Sequence, residues 1–207
     1  MRLLARHMQS HPDYSDYLTE SVIDMLYRCA PLHDIGKVGI PDRILLKPGH
    51  LSSDEFEIMK RHTTLGRDAL ENAQRVAGSA ARQLGGPADF FQIAKDMVYC
   101  HHEKWDGTGY PQGLRGQQIP ISARLMSIAD VYDALTSARV YKTAMPQEQA
   151  VAMIAEGRGS RFAPELVDAF LALLPQFDWI ARRYADLGDD MSHKAEFTIS
   201  AYGVVDN

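Results

Sequence analysis

The stretch ISARLMSIADVYDALTSA, residues 121–138, is apolar on nearly every side. A helix without a polar face belongs in the interior of a protein. A chain that carries one must supply other elements to cover it. Here those elements read as helices. Strand-like alternation is nearly absent, and apolar residues recur at helical spacing elsewhere. Yet the buried stretch also holds Asp130 and Asp133, one turn apart.

The helices can be placed in order. From Thr19 to Ala30, Val22, Leu26 and Ala30 recur every fourth residue, and the same face continued past Pro31 reaches His33. Pro31 should kink or restart the helix. GKVGIPDRILLKPGHL is punctuated by glycine and proline and reads as a loop. Ser52 and Glu55 have the spacing of a capping box. The helix they open carries Phe56, Met59 and His62 at three-residue steps on one face. ADFFQIAKDMVYCHH follows, with Phe90, Ala94, Met97 and His101 aligned. MPQEQAVAMIAEG and APELVDAFLALLPQF are both helical, separated by Gly157 and Gly159, with Pro164 at a first helical position. EFTISAYGVV, near the end, is a short strand or a disordered tail. The expectation is an all-α domain with two long loops.

Composition narrows the function. The chain has 207 residues, 45% hydrophobic and 24% charged, which suits one domain with a sizeable core. A net charge of -5 argues against bulk DNA or RNA binding, which needs a basic face. It leaves room for a small anionic ligand met by local positive charge or metal ions. No apolar run is long enough for a transmembrane helix, so no membrane role is expected. MRLLARHMQSHPDYSDY lacks the apolar centre of a secretory signal. Cys29 and Cys100 have no CxxC spacing and read as buried, reduced thiols of a cytoplasmic protein.

Several polar residues fall on faces that should be buried: His33 with Asp34, His62, His101 with His102, and Asp130. Each has an ordinary explanation. A lone His62 is more often a hydrogen-bonded core histidine than a ligand. Asp34 could cap a helix, and Asp130 could pair with Arg124. His101 and His102 could end a helix, where the dipole favours them. Together they call for a common partner, because an unpaired buried carboxylate costs several kcal/mol. A metal centre serves best. Imidazole and carboxylate suit iron, manganese or zinc. So many ligands, without a cysteine pattern, favour a two-metal site over a closed structural zinc. His7, His11, His50 and His193 lack such placement and read as surface residues.

The segments APLHDIGKVGIPDRILLKPGHL, KRHTTLG, HHEKWDGTGYPQGLRGQQIP and ARLMSIADVYDALTSARVYK resemble the HD-GYP family, a branch of the HD phosphohydrolase superfamily. An HD pair alone would be weak; the HHE-WDGTGYP loop in this order is specific. The resemblance covers roughly Leu3 to Asp186. It implies an HD-domain helical bundle over residues 1–186, lacking the start of its first helix, with 187–207 as a C-terminal tail. A glycine-rich signature loop would lie beside a multi-metal site. Two or three divalent metals, iron or manganese, are implied. The implied activity is hydrolysis of cyclic di-GMP to pGpG or GMP by a metal-bound hydroxide.

Carried over by position, the resemblance makes His33, Asp34, His62, His101, His102 and Asp130 metal ligands, Asp34 bridging. Lys37 would face the substrate phosphates and serve with Asp34 in catalysis. Asp133, Arg139 and Lys142 would line the substrate pocket. Gly109, Tyr110 and Pro111 are the namesake of the signature loop. Glycines there permit backbone conformations that other residues resist. The loop would shape the pocket or contact other signalling proteins, such as a diguanylate cyclase. A homodimer is a further assembly left open.

Two departures stand out. Family members carry an earlier helix that contributes another ligand, and RLLARHMQSHP resembles only its end. The expectation is an amino-terminally shortened response-regulator output domain, the ligand and any receiver domain falling before Met1. In GSRFAPELV, Arg161 and Ala163 stand where relatives commonly have histidine and aspartate. Altered packing or capping is expected, with the chemistry kept. Two alternatives follow: a catalytically impaired interaction module, or an HD phosphohydrolase acting on another nucleotide.

Overall fold

The computed structural model describes residues 1–83, 88–137 and 145–185. Arg139, Lys142, His193, the EFTISAYGVV segment and the expected tail 187–207 lie outside the described residues. The architecture is all-α. Among the described residues no strand forms, and one isolated bridge pairs Arg158 with Phe162.

Short helices open the chain: α1 (Arg2–Met8), α2 (Pro12–Ser15) and α3 (Glu20–Cys29). Thr19 caps α3 by accepting a hydrogen bond from the Val22 amide at 3.3 Å. The face of α3 that is fully buried is Ile23, Leu26 and Cys29, with Val22 and Ala30 at its margin. At Pro31 the helix tightens into a 3-10 turn, Ala30–Leu32. A second 3-10 turn, Ile35–Gly39, and α4 (Asp42–Leu45) replace the loop expected there. Glycine and proline shorten these turns without abolishing them, because Ile40 and Ile44 bury against Met59 in a small core of their own.

The capping box forms: the Glu55 amide donates to Ser52 Oγ at 3.3 Å, and the Ser52 amide donates to Glu55 Oε2 at 2.7 Å. It opens α5 (Ser53–Lys60). His62 is not on that helix. The chain breaks at Arg61, and His62 begins α6 (His62–Gln83), the long helix the sequence reading did not delimit. Next come α7 (Ala88–Cys100), α8 (Ile121–Thr136), α9 (Gln147–Glu156), α10 (Pro164–Ala172) and α11 (Leu174–Ala185). APELVDAFLALLPQF is therefore two helices, parted at Leu173.

Helix α8 is the spine, buried along its length and packed on α7, α9 and α10. Helix α7 lies against α3 and α6, and α6 carries the 3-10 turn Ile35–Gly39. That last contact is very close. A Cβ on Gly36 would overlap the carbonyl oxygen of His62, and Gly66 opposite it faces Gly36 N and the Val98 side chain. Two small residues thus let the turn after Asp34 sit on the first turns of α6. Cys29 and Cys100 are buried and unpaired. Burial pushes their thiols up to about 11 and about 12, which leaves them packed rather than reactive. No helix among the described residues is long and apolar enough to cross a membrane.

Candidate metal centre

Four elements deliver the polar residues to one place. The turn between the two 3-10 segments supplies His33 and Asp34, the start of α6 supplies His62, the end of α7 supplies His101 and His102, and α8 supplies Asp130. Ligand atoms of Asp34, His62, His101 and His102 lie within 4.8 Å of one another. The His33–His101 ring centroids are 5.3 Å apart, and those of His62 and His102 are 5.1 Å apart.

Asp34 joins two groups. Its Oδ1 faces His62 Nε2 at 3.5 Å and His101 Nε2 at 3.8 Å. Its Oδ2 faces His33 Nε2 at 3.3 Å and Lys37 Nζ at 2.6 Å. His33 Nε2 also lies 3.5 Å from Asp130 Oδ1. The 3-10 geometry puts residues three apart on one side, which is why Lys37 stands over Asp34. Asp34 makes no side-chain cap to its 3-10 turn, and Arg124 engages Tyr14 and Glu165. Neither ordinary explanation for the two aspartates describes this geometry.

The helix-end explanation for His101 does describe part of it. His101 Nδ1 lies 3.1 Å from the Met97 carbonyl and 3.0 Å from that of Val98, closing the end of α7. His62 Nδ1 lies 2.8 Å from the Met59 carbonyl, and His33 Nδ1 lies 2.7 Å from that of Ala30. A carbonyl only accepts, so each Nδ1 carries the proton and each Nε2 turns to the centre. Outer hydrogen bonds of this kind fix the tautomer of metal-binding histidines.

Electrostatics separate the histidines. Burial lowers His62, lowers His101 to about 3, and holds His102 well below its ordinary range. All three are neutral, with a lone pair on offer. Burial would lower His33 too, but hydrogen bonds to Asp130 and Asp34 outweigh it and raise that ring to about 10. Against the cost of burial, His33 holds Asp130 down at about 2, and Lys37 with His33 holds Asp34 well below the carboxylate range.

Asp34 Oδ1, His62 Nε2 and His101 Nε2 are buried and have no hydrogen-bond partner. Leaving such atoms unsatisfied is costly. A divalent cation would satisfy all of them, and carboxylate with neutral imidazole is a donor set that such ions accept. The residues present fit a metal.

Asp133 is exposed on α8 and accepts a hydrogen bond from Ser137 Oγ at 3.3 Å. Tyr110 stacks on His102, with ring centroids 4.8 Å apart. Gly109 and Pro111 flank it in the loop after α7. Two residues were given no role at the loop by the sequence. Glu103, 2% exposed, takes hydrogen bonds from the Gln112 and Leu114 amides. Arg124 has its guanidinium 5.2 Å from the Tyr14 ring and 5.8 Å from that of Trp105, bracing the loop. The signal for Glu103 was an acidic residue directly after two buried histidines. Ala163 is the residue before α10 and makes no side-chain cap there.

A family model described as HD domain matches residues 18–166. The chain belongs to the HD domain family. The matched span runs past both His33 and Asp130, and the fold with the cluster of Asp34, His62, His101 and His102 points to a divalent metal site. This HD domain is 50% identical, over 186 residues, to a cyclic di-GMP phosphodiesterase of Vibrio cholerae serotype O1, covering 90% of this chain and 36% of that protein. It is 42% identical, over 160 residues, to 3'3'-cGAMP-specific phosphodiesterase 2 of the same organism, covering 77% of this chain and 28% of that one. The chain thus spans about a third of the length of these curated relatives. Its fold is that of Bd1817, a HDG"Y"P protein from Bdellovibrio bacteriovorus, with a TM-score of 0.54 at 18% identity, over 84% of this chain and 48% of that one.

Proposed function

We propose that this HD domain is a phosphodiesterase that hydrolyses cyclic di-GMP, with two divalent metals, iron or manganese, held at the centre. The observation that carries this is the placement of Asp34, whose two oxygens face different ligand groups. His62, His101 and His102 with Asp34 would hold one metal, and His33 and Asp130 with Asp34 the other. The names of the similar Vibrio cholerae proteins supply the substrate class.

Bound metals supply a nucleophile from water near neutral pH and neutralise charge on phosphoryl oxygens. The protein does the rest. His62 and His101 are buried and would keep bulk water from their side of a phosphate bound at the centre. The Lys37 ammonium, 2.6 Å from Asp34, is within reach of a phosphoryl oxygen at the centre and would offset the charge that grows there. Asp133, with Arg139 and Lys142 just beyond α8, would hold the rest of the dinucleotide. Water adding across one P–O bond opens the ring to pGpG, and a second addition yields GMP. The buried, unpaired thiols support a reducing compartment, the cytoplasm.

The resemblance to a cGAMP-specific enzyme favours a second reading, in which another cyclic dinucleotide is preferred. Turnover of cyclic di-GMP and 3'3'-cGAMP, on protein purified without oxygen and loaded with iron or manganese, separates the two. The proposal expects metal-dependent hydrolysis, faster on cyclic di-GMP and stopped by a chelator. Faster turnover of 3'3'-cGAMP would replace the substrate; no turnover of either by metal-loaded protein would refute the activity.

A further inference from the structure

Glu103 directly follows the paired histidines, where α7 gives way to the glycine-rich loop. At 2% exposure its carboxylate needs donors. It finds them across the loop: the Gln112 amide donates to Oε1 at 2.7 Å and the Leu114 amide to Oε2 at 3.0 Å. These bonds fold residues 103–114 back on themselves. The return brings the Tyr110 amide to the His102 carbonyl at 3.2 Å and lays the Tyr110 ring over the His102 ring, 28° from parallel. Only a glycine fits at 109 in that crossing, since a Cβ there would overlap the backbone of Glu103 and Lys104. Phe56 meets the Tyr110 ring edge-on at 6.0 Å. The His102 imidazole is therefore packed against both Tyr110 and His101, whose ring centroid lies 4.0 Å away.

We propose that Glu103 is a positioning residue of the metal centre: its carboxylate closes the loop so that the Tyr110 ring holds the His102 imidazole in its ligating orientation. This rests on the metal-centre reading. Glu103 touches no ligand atom and acts through the loop backbone and Tyr110. Its loss should resemble loss of other groups that orient a ligand, a cost of about 10–100-fold in metal affinity.

The test is Mn(II) affinity and stoichiometry of the full chain, measured by calorimetry for the parent, Glu103→Gln, Tyr110→Phe and Tyr110→Leu. Glutamine keeps one acceptor but turns an N–H₂ towards the other amide. Amide hydrogen exchange at Gln112 and Leu114 should then quicken in metal-free protein, and Mn(II) should bind about 10–100-fold more weakly. Phenylalanine keeps the stacked ring and should bind as the parent does; leucine keeps bulk without a flat face and should weaken binding. If Glu103→Gln does not fold, the Tyr110 pair decides. Parental Mn(II) affinity in both Glu103→Gln and Tyr110→Leu, or in Tyr110→Leu alone where the former is unfolded, overturns the positioning role and leaves the metal site standing. A parent chain that binds no Mn(II) overturns the metal reading itself.

Discussion

His33 differs from the other histidines of the centre because two carboxylates face it. Its ring is raised to about 10 by Asp130 and Asp34, against the opposing effect of burial. An unfolded histidine titrates near about 6.5. The stability His33 lends to the metal-free fold is thus fully present below about 6.5 and lost as pH rises through about 10. The Asp130 side of the pair runs the other way, present above about 3.9 and lost as pH falls through about 2. In metal-free protein, the stability gap between the parent and His33→Gln should shrink steadily between pH 6.5 and 10. Urea unfolding across that range measures it; a gap that stays constant would mean His33 is not held by its carboxylates. At this scale the sequence was informative where chemistry and placement disagreed. Imidazoles and carboxylates on apolar faces demanded a partner, and those residues are the ones gathered around Asp34. Glu103 was harder to see, since its partners are backbone amides brought near by a loop whose path no side-chain pattern records.

Elements set the reach of those residues. The 3-10 turn Ile35–Gly39 lies on α6 so closely that Asp34 comes beside His62, and Gly36 makes the approach possible. Gly36→Ala should force the two apart and cost about 1–3 kcal/mol of stability, the range for overpacking a tight contact. It should also weaken metal binding, because His62 and Asp34 would no longer share a partner. Thermal unfolding with metal titration tests this; unchanged values in both would show that the turn can yield without consequence. The capping box at Ser52 and the first-position Pro164 were legible because they are local signals. The break at Arg61 was not. Phe56, Met59 and His62 keep helical spacing across it, and only the packing of α6 on α7 reveals that His62 starts a new helix.

At the scale of the whole molecule, the apolar spine α8 explains both the fold and its centre. Helices α7, α9 and α10 cover it, and Asp130 is the polar residue it carries into the group around His33. The six residues from His33 to Asp130 come from distant parts of the chain, so the centre exists only when the bundle is formed. In the proposed function, Asp34 ties the two ligand groups to metal. The most direct measurement is metal content of the parent and of Asp34→Ala, loaded in parallel with iron or manganese without oxygen. The parent should hold about two metals per chain and the variant clearly fewer, with hydrolysis of cyclic di-GMP abolished. Equal metal content in both, with turnover retained, would contradict it.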